Sequence, residues 1–114
     1  MDTRKIILGS AQFGNKYGIT NFKKTKISEI QKIILYSKTK GIKTIDTAQD
    51  YGKSEKILGK INIKDFKIIT KIKFDKKKQN IEKLIFNSTK NLKNKKSYGV
   101  LFHSSKSLLG KYGI

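Results

Sequence analysis

An alternation restricts this chain more than any other feature. Four short apolar runs recur along it, separated by helical patterns: Lys5 to Gly9, Ile42 to Ile45, Phe66 to Thr70 and Tyr98 to Phe102. The last three run directly into Asp46, Lys71 and His103. Short strands alternating with helices signal parallel strands joined by crossover helices, an α/β fold. Apolar residues on successive positions, as in Ile68-Ile69 and Val100-Leu101-Phe102, predict strands covered on both faces.

The segments between the runs fit this plan. A glycine-bearing loop with Gly14 and Gly18 spans Ser10 to Asn21. Ser28, three residues before Gln31, predicts a capping box at the start of a helix. Ile30, Ile33, Ile34 and Ser37 share one face of that helix. Gly41 sits where a left-handed residue ends a helix at little cost. A short helix is expected from about Ser54 to Gly59. Another is expected from about Gln79 to Leu92, with Ile81, Leu84, Ile85, Ser88 and Leu92 on one side. With no proline and no low-complexity linker, residues 1–114 read as one domain with a modest core.

Composition narrows the function. There is no cysteine, which excludes disulfides, thiolate chemistry and zinc–sulfur sites, and no metal site is expected. No apolar run reaches the ~18 residues of a membrane helix. The run Ile6 to Ala11 is short for a signal peptide's apolar region of about 7–15 residues. A cytoplasmic protein without membrane contact is the expectation. The formal charge of +19 invites a polyanion partner. Yet only one of the 27 basic residues is arginine, and arginine is the residue suited to bidentate phosphate and guanine contacts. The lysines are spread along the chain, with local clusters at Lys76 to Lys78 and Lys93 to Lys96. Specific nucleic-acid recognition is therefore not expected.

The chemistry should lie at the strand ends. In parallel βα folds the carboxyl ends of the strands form the active face. Adjacent strands lie ~4.8 Å apart, so Asp46, Lys71 and His103, with Tyr51 in the loop after the second strand, fall in one small patch.

The surrounding residues sharpen this. Asp46-Thr47-Ala48-Gln49-Asp50-Tyr51-Gly52-Lys53-Ser54-Glu55 resembles the signature of the aldo/keto reductases: D-T-A, two variable residues, Y-G, one variable residue, S-E. Leu58-Gly59 continues it, and Leu8-Gly9-Ser10-Ala11-Gln12-Phe13-Gly14 looks like the family's first strand and loop. The resemblance runs in order through Lys71 and His103. It implies a (β/α)8 TIM barrel, of which about the first four βα units are visible. It also implies hydride transfer from NADP(H) to a small carbonyl substrate. Asp46, Tyr51, Lys71 and His103 would be catalytic, and Gly9, Ser10 and Asp46 would lie near the nicotinamide. Tyr51 would give the proton. Lys71 beside it would favour the phenolate, Asp46 would hold Lys71, and His103 would orient the carbonyl oxygen.

Four strands are half of what such a barrel requires, and a full one takes about 250 residues. The reading is thus an N-terminal portion that lacks most of the cofactor groove and is inactive by itself. It would self-associate or pair with a separate C-terminal half. A different class of reading is a basic, non-enzymatic module that binds polyanions or serves in assembly.

Overall fold

The structure, a computed structural model, describes residues 2–15, 25–74, 80–93 and 97–107. Strands β1 (Ile7–Gly9), β2 (Thr44–Asp46), β3 (Lys67–Ile72) and β4 (Gly99–Phe102) form one sheet in the order β1-β2-β3-β4. Every pair is parallel. Helices α1 (Ala11–Gly14) and α2 (Ile27–Thr39) lie between β1 and β2. Helix α3 (Ser54–Lys60) precedes β3, and α4 (Ile81–Asn91) precedes β4. The four parallel strands, with helices after the first three, match part of a (β/α)8 barrel, as expected. Gly18, the cluster Lys76 to Lys78, Gln79, Asn94 to Lys96 and Leu108 to Ile114 lie outside the described residues.

Local signals place the helix ends. Gly41 has φ 77, and the end of α2 is a two-bond left-handed cap. The Gly41 amide donates to the Lys38 carbonyl at 3.0 Å, and the Ile42 amide to that of Ser37 at 3.0 Å. The start of α2 differs from the sequence reading. The helix begins at Ile27, and the Glu29 carboxylate accepts the Lys26 amide at 3.1 Å. A carboxylate on a free amide at a helix N-terminus gains charge assistance that Gln31 lacks. At α4 the Asn80 side chain caps the Lys83 amide at 3.2 Å. The first strand is shorter than its apolar run, because Thr3–Lys5 form a 3-10 turn.

The core lies between the helices and one face of the sheet. Leu8, Ile45 and Ile68 occupy one row of that face, and Ile45 and Ile68 are buried against Ile30 and Ile34 of α2 and Ile57 and Leu58 of α3. Phe13, Ile63, Phe66 and Leu92 complete it. Ile33 belongs to the predicted face but is partly exposed, so the buried stripe of α2 is Ile30, Ile34 and Ser37. The α4 stripe narrows likewise to Ser88 and Leu92, with Leu84 and Ile85 half-buried and Ile81 exposed.

The expectation of strands covered on both faces holds on the helix side of β2 and β3 alone; Val100 of β4, on the same side, is 36% exposed. On the other face Ile7 and Leu101 are each 51% exposed. Four strands do not close on themselves, so the face that would point into a barrel has no opposing strands among the described residues to cover it. Asp46 and Lys71 stand on this open face.

Candidate functional site

The segment after β2 remains attached to β3. The Thr47 amide donates to the Ile69 carbonyl at 2.8 Å, the Lys71 amide to that of Thr47 at 3.1 Å, and the Gln49 amide to that of Lys71 at 3.0 Å. This continued pairing sets Asp46 against Lys71, which lies inside β3 one residue short of its end. The Lys71 Nζ donates to Asp46 Oδ2 at 2.5 Å, to Tyr51 Oη at 3.3 Å and to the Thr47 carbonyl at 3.4 Å. The ammonium also lies 5.0 Å from the centre of the Tyr51 ring. The His103 amide donates to the Ile72 carbonyl at 2.8 Å, one residue beyond β4. Its exposed ring meets Tyr51 edge to face, with centroids 5.9 Å apart. All four residues picked out in the sequence thus come together at one end of the sheet.

The electrostatics favour the charged form of Lys71. Partial burial pulls the Lys71 ammonium down. Hydrogen bonds from it to Asp46 and Tyr51, together with their charges, outweigh that effect and hold it above the ordinary lysine value of 10.5. The Asp46 and Lys71 side chains are 27% and 20% exposed, so the pair is sheltered yet within reach of a ligand.

Tyr51 owes its position to a tight turn. Its amide donates to the Ala48 carbonyl at 3.1 Å, and its carbonyl accepts the Ser54 amide at 3.0 Å. Gly52 supplies the left-handed step at φ 58. Gly14 packs against this turn from α1. A Cβ on Gly14 would sit 2.0 Å from the Tyr51 carbonyl oxygen and 2.3 Å from the Ser54 nitrogen. No larger residue leaves the turn where it is.

Gly9 and Ser10, read as neighbours of a cofactor, differ in access. Gly9 is exposed on the open face, and an added Cβ would meet nothing within 4 Å. Ser10 is fully buried. Its Oγ accepts the Ser54 hydroxyl at 2.8 Å, and its amide donates to the Asp46 carbonyl at 2.9 Å. Gly9 and Asp46 therefore face the space a ligand would enter, while Ser10 supports them from behind.

Thr47, Ser54 and Glu55 are parts of the signature to which the sequence assigns no work. The structure supplies it. Ser54 Oγ lies 3.1 Å from Thr47 Oγ1, which ties α3 to the end of β2 as well as to Ser10. The buried Glu55 carboxylate accepts Thr70 Oγ1 at 2.7 Å and Asn91 Nδ2 at 3.0 Å, which joins α3, β3 and α4. Gln49 Nε2 donates to the Leu84 carbonyl at 2.6 Å and to Ser88 Oγ at 2.8 Å. Part of the signature is thus the frame that holds Asp46 and Tyr51 in place.

The profile of the Aldo/keto reductase family matches residues 5–107. The chain belongs to the aldo/keto reductase family. Two solved structures support this, both of proteins from Pseudomonas aeruginosa assigned as aldo-keto reductases. One superimposes with a TM-score of 0.71 at 25% identity, covering 86% of this chain and 42% of that one. The other gives 0.69 at 25% identity, covering 86% and 40%. This aldo/keto reductase chain therefore spans about two-fifths of the length of the solved structures it matches. No curated protein matches it significantly. Among the described residues no cluster of acidic or histidine side chains could hold a metal ion, and no helix is long and apolar enough to cross a membrane.

Proposed function

We propose that this chain carries the proton-transfer half of a carbonyl reductase site. Asp46, Tyr51, Lys71 and His103 form its catalytic group. The observation that carries the reading is the position of the Lys71 ammonium between Asp46 Oδ2 at 2.5 Å and Tyr51 Oη at 3.3 Å. A carbonyl that accepts a hydride becomes an alkoxide and needs a proton. Tyr51 stands to provide it. As its proton leaves, the phenolate oxygen is left facing a cation already in place, which costs no reorganisation at the moment of reaction. Asp46 anchors that cation and offsets its partial burial. His103, exposed beside the Tyr51 ring, is placed to hydrogen-bond the carbonyl oxygen and orient it.

The hydride would come from NADP(H), the cofactor the family resemblance implies. Gly9 and Asp46 fit its nicotinamide end, because both are accessible on the open face and Gly9 leaves room for a flat ring to approach the backbone. The substrate is a small carbonyl compound. The groove for the rest of the cofactor would draw on strands beyond these four, supplied by a second polypeptide or by a larger protein. The chain by itself is accordingly expected to be inactive, and a second copy or a separate C-terminal half is its expected partner.

The test is an assay of NADPH-dependent reduction of an aromatic aldehyde. The chain alone should give no rate above background. A barrel completed by four further βα units, through fusion or co-expression, should turn over. There Tyr51→Phe should lower the rate by about 10²–10⁴-fold, the range of general acid catalysis. Undiminished turnover of the Phe variant would overturn the assignment.

A further inference from the structure

A groove runs between α3 and α4 on the helix side of the sheet, away from the face that carries Asp46 and Lys71. It is an open depression of about 460 Å³. Five lysines line it: Lys53, Lys56 and Lys60 from α3 and its leading edge, and Lys90 and Lys93 from the end of α4. Their spacing puts the α3 set on one side of the helix. Ile57 and Asn91 supply the rest of the lining.

Two observations set this groove apart from the general lysine excess. First, none of the five lysines forms an ion pair among the described residues, whereas Lys38, Lys71 and Lys73 are paired with Asp65, Asp46 and Asp50. Glu55, the carboxylate beside Lys56 in sequence, turns inward and is held by Thr70 and Asn91. Five lysines thus line one depression, and none of them is held by a carboxylate among the described residues, which leaves them available to an anion. Second, Lys93 follows α4 with φ 53, a left-handed conformation that glycine adopts more easily. At the end of α2 the chain uses glycine in that conformation, at Gly41. At the end of α4 it uses a lysine whose side chain lines the groove.

We propose that the α3–α4 groove binds a small polyphosphate anion. Lysine ammoniums are point charges that reach separate phosphates without fixed geometry, which suits a short chain of phosphates. The groove has room for such a ligand. It offers no arginine fork or aromatic platform, so any base or ring attached to the phosphates would go unread.

The experiment is a titration of the full chain with inorganic tripolyphosphate, followed by amide NMR shifts at low and at physiological salt. Saturable shifts should be centred on Lys53 to Lys60 and Asn91 to Lys93. Sulfate at matched ionic strength should bind far more weakly. ATP should match tripolyphosphate, because only the phosphates are read; markedly tighter ATP binding would mean that the base is read and would overturn the polyphosphate assignment. The pair Lys56→Gln and Lys93→Gly should weaken binding about fivefold to tenfold, whereas Lys32→Gln on α2 should change it less than about twofold. Lys93→Gly also separates binding from folding, since it should leave the unfolding midpoint unchanged or raise it while weakening the anion. Equal losses from Lys32→Gln and the groove pair, or shifts spread evenly over the surface, would mean diffuse attraction to a +19 chain and would overturn the proposal.

Discussion

The two faces of the sheet differ in what covers them. On the helix side stand Ile45, Ile68, Thr70 and Ile72, each no more than 2% exposed, and Thr70, the one polar residue in that row, bonds Glu55. On the open side stand Gly9, Asp46, Lys71 and Leu101, all reachable from solvent. One face carries most of the buried core, and the other carries the Asp46–Lys71 ion pair in reach of solvent. A strand's alternation makes this division possible, because neighbouring residues such as Thr70 and Lys71 serve different faces.

The strongest way to break this comparison is to truncate one residue on each face. Leu58→Ala removes a fully buried side chain of the helix-side core and should cost about 2–5 kcal/mol, enough to unfold a small domain. Leu101→Ala, on the open face, should cost well under about 1 kcal/mol in the isolated chain. Urea unfolding of both variants checks this, and equal costs would mean that the open face is covered after all.

Next in size is Gly14→Ala. The new methyl cannot coexist with the Tyr51 carbonyl 2.0 Å away, so the turn must move. A loss of roughly 1–3 kcal/mol is expected, with displacement of Tyr51 from Lys71. Amide shifts of residues 48–54 would report it, and an unperturbed turn would count against the packing described. Thr70→Val should cost about 1–3 kcal/mol, because it keeps the shape and leaves a buried carboxylate with one partner fewer. Its effect should fall on stability and leave the Lys71 side chain where it is, which a comparison of unfolding and Lys71 titration would show.

A smaller effect concerns association. Ile7 and Leu101 are exposed on the two edge strands, and unpaired apolar edges recruit other strands. The +19 charge opposes this through repulsion that salt screens within ~8–10 Å. Sedimentation across a salt series should show self-association that grows with salt, and Leu101→Lys should reduce it. A monomer at every salt concentration would argue that the edges are protected.

Much of this was legible in the sequence. The strand order followed from the alternation of apolar runs and helical patterns, and Gly41 marked a helix end by its chemistry. The candidate site was legible because its members lie at or near the ends of neighbouring strands and sit in recognisable words, although Lys71 stands inside β3 and not at its end. What stayed hidden depends on tertiary distance. Ser10 and Ser54, or Glu55 and Asn91, are far apart in sequence, and no local pattern says that they meet. The lysines of the α3–α4 groove read as dispersed for the same reason, since two separate stretches of the chain converge only in the fold. The cap of α2 was misplaced because Ser28 and Glu29 both suit a helix start, and the charge on Glu29 decides between them. The covering of the sheet was overestimated because a strand facing a barrel interior is apolar whether or not the opposing strands are present.

The Lys71 cation is the centre of the account, and its titration tests it most directly. Its folded value lies above the ordinary 10.5, so its contribution to stability is complete below that pH and is lost as pH rises through the folded value. Nitrogen-detected NMR of the lysine side chains, from about pH 9 upward, would follow it. Lys71 should titrate above the exposed lysines, and in Asp46→Asn it should fall, because burial then acts with less opposition. If Lys71 titrates with the surface lysines and ignores the loss of Asp46, the cation is not held between Asp46 and Tyr51, and the proposed proton relay fails with it.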